Sequence, residues 1–125
     1  MYTLSVARDF VARHYLTVPE PGPEGEPHRH PYRAEVRFTG PELDEFGYLV
    51  DIDEVERVLD ALVDRYGGAL LNDLPEFQGQ NPSVERFARH FGDAVAERAP
   101  TETPTGLSVR LWEDEDAWAS YEREC

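Results

Sequence analysis

Hydrophobic residues follow two different periods along this chain, and the order of those periods limits the possible folds. Towards both ends they alternate with polar residues, as in the run from 32 to 38, which is typical of strands with one buried face. In the middle they recur every three or four residues, which is typical of amphipathic helices. The pattern predicts the order strand, strand, helix, helix, strand, strand. It therefore favours an α+β fold in which both helices cover one face of a four-stranded antiparallel sheet.

Turn and capping residues set the approximate bounds of these elements. Asp51 or Asp53 can cap the first helix, and residues 67–68, both glycine, end it. Ser83 opens the second helix, which ends before the loop at 100–106. The predicted strands cover residues 3–16, 32–38, 107–112 and 117–121. No internal repeat or interdomain linker is visible, so we expect residues 1–125 to form a single domain.

The charge balance excludes some partners. The chain carries 26 acidic residues against 12 basic ones, all arginine, for a net charge of −14. No basic stripe is available for nucleic acid or an anionic membrane surface. Such self-repulsion is screened within about 3 Å at molar salt, so we expect the protein to work at high ionic strength, as in halophilic organisms.

The single cysteine and the lack of long apolar runs bear on location. Cys125 is the last residue, so an internal disulfide cannot form, which favours a reducing compartment. No segment reaches the roughly 20 apolar residues of a membrane span, and the first residues do not resemble a signal peptide. We expect a cytoplasmic protein.

Three histidines stand out in a histidine-poor sequence. If His28 and His30 lie on a strand, the period of two turns both imidazoles to one face, and a neighbouring strand can bring His14 alongside. Three imidazoles with a fourth position open are the ligand set of a catalytic zinc site. The alternative is a proline-rich loop that carries two solvated histidines. A cupin-type barrel would also use such a pair, but it needs more strands than this chain predicts.

Six short segments resemble, in the same order, those of the 6-pyruvoyl tetrahydropterin synthase and QueD (6-carboxytetrahydropterin synthase) family. The similarity extends over nearly the whole chain and implies the tunnelling fold, or T-fold. The segments are Phe10-Val-Ala-Arg-His14, His28-Arg-His30, Gly47-Tyr-Leu-Val-Asp51, Leu71-Asn-Asp-Leu-Pro75, Asn81-Pro-Ser-Val-Glu85 and Glu113.

The resemblance implies roles for most of these residues. His14, His28 and His30 would bind Zn²⁺, which polarises the side-chain hydroxyls of a dihydropterin. Glu113 would anchor the pterin, because a carboxylate accepts two parallel hydrogen bonds from its amino-pyrimidine edge; a solvated turn acid is the alternative. Ser83 and Glu85 would lie near the pterin, although Ser83 is equally well explained as a helix cap.

The chain departs from the family at its catalytic groups. The position of the usual catalytic cysteine, four residues before the first histidine of the pair, is Glu24, and that of the usual Asp-His pair is residues 67–68. A glutamate at that position resembles the type III members of the family, which cleave the substrate side chain to a hydroxymethyl product. Glu24 could act as the general base, but Glu20 or Glu26 could reach the metal instead, and a solvated loop acid is a further alternative.

The sequence therefore leads to a zinc-dependent lyase that acts on a dihydroneopterin-type substrate as the first hypothesis. The second is a paralogue that binds metal and pterin without catalysis. Since a small open sheet leaves edges that need partners, and the family forms trimers and hexamers, we expect a homo-hexamer (a dimer of trimers) with active sites at subunit interfaces. Candidates for phosphate binding are Arg8, Arg13 and Arg29.

Overall fold

A computed structural model describes residues 1–125 as one four-stranded antiparallel sheet with two helices on one face. The predicted fold class and the predicted order of elements are confirmed. Three single 3₁₀ turns lie in the connections, at Gly22–Gly25, Leu71–Asp73 and Pro75–Phe77. The main elements are β1 (Tyr2–His14), β2 (His28–Gly40), α1 (Ile52–Tyr66), α2 (Val84–Arg98), β3 (Gly106–Trp112) and β4 (Trp118–Glu124).

The sheet places its strands in chain order, β1-β2-β3-β4. β1 and β2 pair over their full length, with Tyr2 opposite Gly40 and His14 opposite His28. β3 pairs only with residues 33–39 of β2. The first residues of β2 therefore have a partner on one side only.

This one-sided pairing explains the main difference between the predicted and observed strands. The sequence predicts that the second strand starts at residue 32, but β2 starts at His28 and passes through Pro31. Proline lacks the N–H that a second partner strand would need, and it is tolerated in a strand where that side has no partner. The longer strand brings both histidines of the pair into the sheet.

The core lies between the sheet and the two helices. Even-numbered residues of β1 and β2 face the helices, and so do odd-numbered residues of β3 such as Val109 and Leu111. Phe87 of α2 is fully buried, and its ring lies 5.0 Å from that of Tyr32 and 4.9 Å from that of Tyr66. Burying a side chain of this size contributes about 2 kcal/mol. The aromatic cluster fixes α2 against the end of the sheet that carries the histidines.

Both helices have the predicted caps. The carboxylate of Asp51 accepts the N–H of Asp53 at the start of α1, and the hydroxyl of Ser83 accepts the N–H of Arg86 at the start of α2. Gly67 ends α1. Neither helix is long and apolar enough to cross a membrane.

Candidate metal centre

His14, His28 and His30 converge at one end of the sheet. His14 is the last residue of β1 and lies directly opposite His28, while His30 lies two residues further along β2 on the same face. One ring nitrogen from each residue lies within 4.8 Å of the other two. The three rings are 4.6 to 4.9 Å apart between centroids. The strand register alone therefore gathers the three predicted ligands.

Backbone carbonyls orient two of these rings. Nδ1 of His14 lies 3.0 Å from the carbonyl oxygen of Pro82, and Nδ1 of His28 lies 2.9 Å from that of Glu26. A carbonyl can only accept, so each Nδ1 carries the proton and each Nε2 keeps a lone pair. A histidine that ligates a metal is commonly held in this way.

Burial favours the neutral form of His14. Its side chain is 1% exposed, and desolvation lowers its pKa, with the hydrogen bond to Pro82 acting in the opposite direction. The charges of His28 and His30 lower the pKa further. A neutral imidazole is the form that binds a metal ion.

Two buried ring nitrogens without hydrogen-bond partners indicate whether a metal ion fits the site. Nε2 of His28 and Nε2 of His30 are buried and have no hydrogen-bond partner. Leaving such a group unpaired costs about 1 to 3 kcal/mol. A divalent cation bound to the converging nitrogens would satisfy both atoms, and nitrogen donors of this kind suit Zn²⁺. The donor set and its geometry therefore fit the ion.

Glu113 follows β3 and faces the same cluster. Its Oε1 lies 3.6 Å from Nε2 of His30 and 3.7 Å from Nε2 of His14. Burial raises the pKa of this carboxyl, the charge of His30 lowers it, and the charges of Glu24, Asp114 and Glu85 raise it. The alternative of a freely solvated turn acid does not describe a side chain that is 28% exposed and faces two imidazoles.

Glu24 lies in the 3₁₀ turn of the loop between β1 and β2. Its side chain is exposed, and its charge raises the pKa of both His14 and Glu113. Of the three loop glutamates, Glu24 is the one that is among the main causes of the pKa shifts of both His14 and Glu113. Glu20 and Glu26 are also exposed, and the backbone carbonyl of Glu26 holds His28.

Ser83 and Glu85, the other two predicted pterin-binding residues, lie at the start of α2. The Ser83 hydroxyl is occupied as the helix cap, at 3.2 Å from the N–H of Arg86. Glu85 is exposed in the first turn of the helix, and its charge contributes to the raised pKa of Glu113. Both follow Pro82, whose carbonyl holds His14, closely in the chain.

The backbone at residues 67 and 68 disfavours a side chain, by a close contact at Gly67 and by a positive φ at Gly68, where the space itself is open. A Cβ on Gly67 would lie 2.7 Å from the carbonyl oxygen of Val63, and Gly68 has a φ of +74°. The N–H of Gly68 donates to the carbonyl of Val11 at 2.7 Å, so the turn is fixed against β1. The local backbone thus matches the glycines that the sequence places there.

Two contacts of the site were not predicted from the sequence. The Pro82 carbonyl is a backbone group, and no side-chain pattern marks it. The buried hydroxyl of Tyr32 lies 3.4 Å from Nδ1 of His14, but the alternation of β2 predicts Tyr32 only as a core residue. Of the proposed phosphate ligands, Arg8 is already paired with Glu56 and Asp60 of α1.

A cavity of about 690 Å³ lies elsewhere, on the sheet face that has no helices. Arg33 and Trp112 line it, together with Asp9 and Val11, and none of the three histidines does. Its size fits a small molecule, but its lining carries no cluster of unpaired nitrogen donors. The chemistry of the chain points to the histidine cluster rather than to this cavity.

Known proteins share both the sequence pattern and the fold. A model of the 6-pyruvoyl tetrahydropterin synthase family matches residues 3–124. No curated protein matches the chain in sequence.

Solved structures give the same fold at low identity. The 6-pyruvoyl tetrahydropterin synthase of Caenorhabditis elegans superposes with a TM-score of 0.83 at 17% identity, covering 98% of this chain and 95% of that one. The enzyme of Plasmodium vivax superposes with a TM-score of 0.82 at 15% identity, covering 99% and 98%. That structure is a variant in which a catalytic glutamate is replaced by alanine, and a second one, with the same identity, TM-score and coverage, has cysteine there.

Proposed function

This chain belongs to the 6-pyruvoyl tetrahydropterin synthase family, and from that premise we propose that it is a zinc-dependent lyase acting on a dihydroneopterin-type substrate. The observation that carries the proposal is the convergence of His14, His28 and His30, two of whose buried nitrogens have no partner in the protein. Three protein ligands leave a coordination position for substrate, which distinguishes a catalytic site from a closed structural one.

The three histidines would hold the ion through Nε2. The carbonyls of Pro82 and Glu26 keep the Nδ1 protons of His14 and His28 away from the cluster. When bound, zinc supplies a Lewis acid that polarises the hydroxyls of the substrate side chain. The protein contributes fixed ligand orientation and a buried wall formed by His14 and Tyr32.

Glu113, Ser83 and Glu85 are the residues we assign to pterin binding. The carboxylate of Glu113 is the group best suited to accept two N–H donors from an amino-pyrimidine. It lies within 4 Å of two imidazoles, so an anchored ring would place its side chain beside the ligand cluster. Ser83 and Glu85 lie at the start of α2, next to Pro82, whose carbonyl holds His14, and the charge of Glu85 acts on Glu113.

Glu24 is our candidate for the general base. In the Plasmodium vivax enzyme a glutamate is described as a catalytic residue, and here Glu24 is the loop glutamate whose charge reaches both His14 and Glu113. In an aldol-type cleavage the base takes the proton of the hydroxyl on the second side-chain carbon, the bond between the first and second carbons breaks, and the outer fragment leaves as an aldehyde. The electron pair of that bond passes into the pterin ring, and a proton then adds to the first carbon, which keeps its own hydroxyl as the hydroxymethyl group of the product. The exposure of Glu24 allows its proton to exchange with solvent.

Assembly into a homo-hexamer, a dimer of trimers, is part of the proposal. β1 and β4 are the free edges of the sheet, and the sheet face without helices exposes Val11 and Trp118. Edges and apolar groups of this kind are commonly covered by other subunits. We place the active sites at the subunit interfaces and the protein in the cytoplasm. A monomer observed by light scattering in high salt would contradict the assembly.

The activity is tested with purified, zinc-loaded protein and two substrates, dihydroneopterin and its triphosphate, with the products separated by chromatography. We expect a hydroxymethyl-dihydropterin product. Glu24→Gln should reduce kcat at least about a hundredfold, as loss of a general base does. Glu20→Gln and Glu26→Gln, on the same loop, should retain activity. No turnover of either substrate would exclude the lyase.

A second candidate function is a protein that binds metal and pterin without catalysis. The glycines at residues 67 and 68 favour it, because they supply no proton-transfer group, and the backbone disfavours one through a close contact at Gly67 and a positive φ at Gly68. Such a protein would bind zinc and dihydroneopterin and release the pterin unchanged. The same chromatographic assay therefore distinguishes the two candidate functions.

A further inference from the structure

Two asparagine side chains hold the backbone that continues beyond β1. Oδ1 of Asn72 accepts the N–H of Tyr15 at 3.0 Å, and its Nδ2 donates to the carbonyl of the same residue at 3.0 Å. Oδ1 of Asn81 accepts the N–H of Thr17 at 2.8 Å. Both asparagines are partly buried, and neither side chain has a role in the proposed chemistry.

These contacts replace strand pairing where the sheet ends. β2 begins at His28, opposite His14, so residues 15–17 have no strand beside them on that side. A backbone N–H or C=O that loses its partner at a sheet end must find another one. Asn72 offers one acceptor and one donor to Tyr15, which is what a neighbouring strand would offer.

The held segment also fixes the loop that follows it. The N–H of Leu16, which lies between the two clamped residues, donates to the carbonyl of Glu24 at 2.8 Å. Two residues later, the carbonyl of Glu26 accepts Nδ1 of His28 at 2.9 Å. Hydrogen bonds thus connect the asparagines to the histidine cluster in three steps. The asparagines hold residues 15 and 17, Leu16 holds Glu24, and Glu26 holds His28.

We infer that Asn72 and Asn81 are positioning residues, which act through residues 15–17 to hold the loop at 19–27 so that Glu24 and His28 face the metal centre. The inference rests on the proposed function for the role of Glu24 and the metal. The placement of the loop itself does not depend on the chemistry.

The two asparagines should respond differently to aspartate. Asn81 uses only its oxygen toward Thr17, so Asn81→Asp keeps the contact and Asn81→Ala removes it. Asn72 also donates to the carbonyl of Tyr15. Asn72→Asp loses that donor and places a carboxylate against a carbonyl oxygen, an unfavourable contact of two acceptors.

The test measures zinc affinity by competition with a chelator, together with amide hydrogen exchange of the metal-free protein. In Asn72→Asp and Asn81→Ala we expect the Kd for zinc to rise about tenfold, the lower end of the effect of groups that orient ligands. Exchange should become faster within residues 15–26 and stay unchanged in α1, β3 and β4. Asn81→Asp should match the wild type in both measurements.

Three results would overturn the inference: unchanged exchange of residues 15–26 in Asn72→Asp and Asn81→Ala, faster exchange throughout the sheet, or an Asn81→Asp variant as impaired as Asn81→Ala. Failure of the wild type to bind zinc would instead overturn the proposed function. In that case the exchange pattern alone decides the inference, because it is measured without metal.

Discussion

Glu113 combines a charge that can bind a pterin with a position beside the ligand cluster. Its Oε1 lies 3.6 Å from His30, and burial raises the pKa of the carboxyl. A bidentate contact to the pterin would give this partly buried group two charge-assisted hydrogen bonds. In the proposed function, Glu113 would thus link recognition of the ring to the placement of the substrate side chain.

Replacing Glu113 with glutamine should weaken pterin binding and leave the metal in place. The amide cannot accept both N–H donors of the pyrimidine edge, and the loss of one charge-assisted bond costs about 1.5 to 3 kcal/mol, which is about 10- to 150-fold in Kd. Fluorescence titration with dihydroneopterin measures this change. Glu115→Gln, an exposed residue of the same turn, is the control. Equal affinity in wild type and Glu113→Gln would remove this residue from the pterin site.

Glu76 is the residue whose ionisation most clearly supports the fold. Burial acts to raise its pKa, but hydrogen bonds from Arg65 and Tyr66 outweigh burial and lower it to about 2. The hydroxyl of Tyr66 donates to Glu76 at 2.7 Å, and Arg65 donates two bonds at 2.6 and 3.2 Å. The contact ties the end of α1 to the segment that carries Asn72.

The pKa of Glu76 predicts how stability depends on pH. Because the folded pKa lies below the unfolded value of 4.5, the contribution is complete above about pH 4.5 and is lost as the pH falls towards 2. Its upper limit is about 3 kcal/mol, from 1.36 kcal/mol per unit. Glu76→Gln should therefore lower the free energy of unfolding in urea at pH 6 and differ less from wild type at pH 3. The control is Glu97→Gln, at an exposed residue nearby, which should change the free energy of unfolding little at either pH. If Glu76→Gln lowered the free energy of unfolding equally at pH 6 and pH 3, Glu76 would not be the source of the pH dependence.

At the scale of elements, α2 joins the core to the site. Its buried face carries Phe87 and Phe91, and the residue just before its cap, Pro82, holds His14. A shift at the start of this helix would therefore move His14, one of the three proposed metal ligands. Ser83 matters in two ways, as the cap of the helix and as a candidate substrate contact.

Replacing Ser83 with alanine separates those two roles. Loss of the cap should lower the free energy of unfolding by about 1 kcal/mol, measured by urea titration. If the hydroxyl serves only as a cap, the KM of the zinc-loaded enzyme should stay within about twofold. A larger rise in KM would assign Ser83 to the substrate. Ser120→Ala, on the exposed face of β4, controls for the loss of a surface hydroxyl.

The elements were largely predictable because their periods and caps are local. Asp51 and Ser83 cap the helices as predicted, and the alternation of β2 marks its buried face. Alternation alone did not mark the start of β2, since that start depends on pairing with β1 across a loop of polar residues; only the metal-site hypothesis and the family resemblance placed His28 and His30 on a strand. The approach of Glu113 to the histidines likewise depends on register between strands that are distant in sequence, and only the family resemblance pointed to it.

At the scale of the whole molecule, charge is the dominant feature. The net charge is −14, and eight ion pairs with carboxylates use seven of the twelve arginines. The acidic residues that remain repel one another, and salt screens this repulsion. Assembly into a hexamer would bring still more negative charge together.

Stability should therefore rise with salt. We expect Tm to increase by several degrees between 0.1 and 2 M KCl at pH 7, because screening removes self-repulsion of the folded state. Near pH 4.5, the isoelectric point, the same addition of salt should have a smaller effect. A Tm at pH 7 that does not respond to KCl would contradict the expected adaptation to high ionic strength.

The metal content of the purified protein tests the central claim most directly. We predict one zinc ion per chain in the wild type, measured by elemental analysis after dialysis, and its loss in His28→Ala, with His90→Ala as the control because His90 pairs with Gln80 rather than with the cluster. A wild type without zinc after zinc loading, or an undiminished content in His28→Ala, would contradict the account.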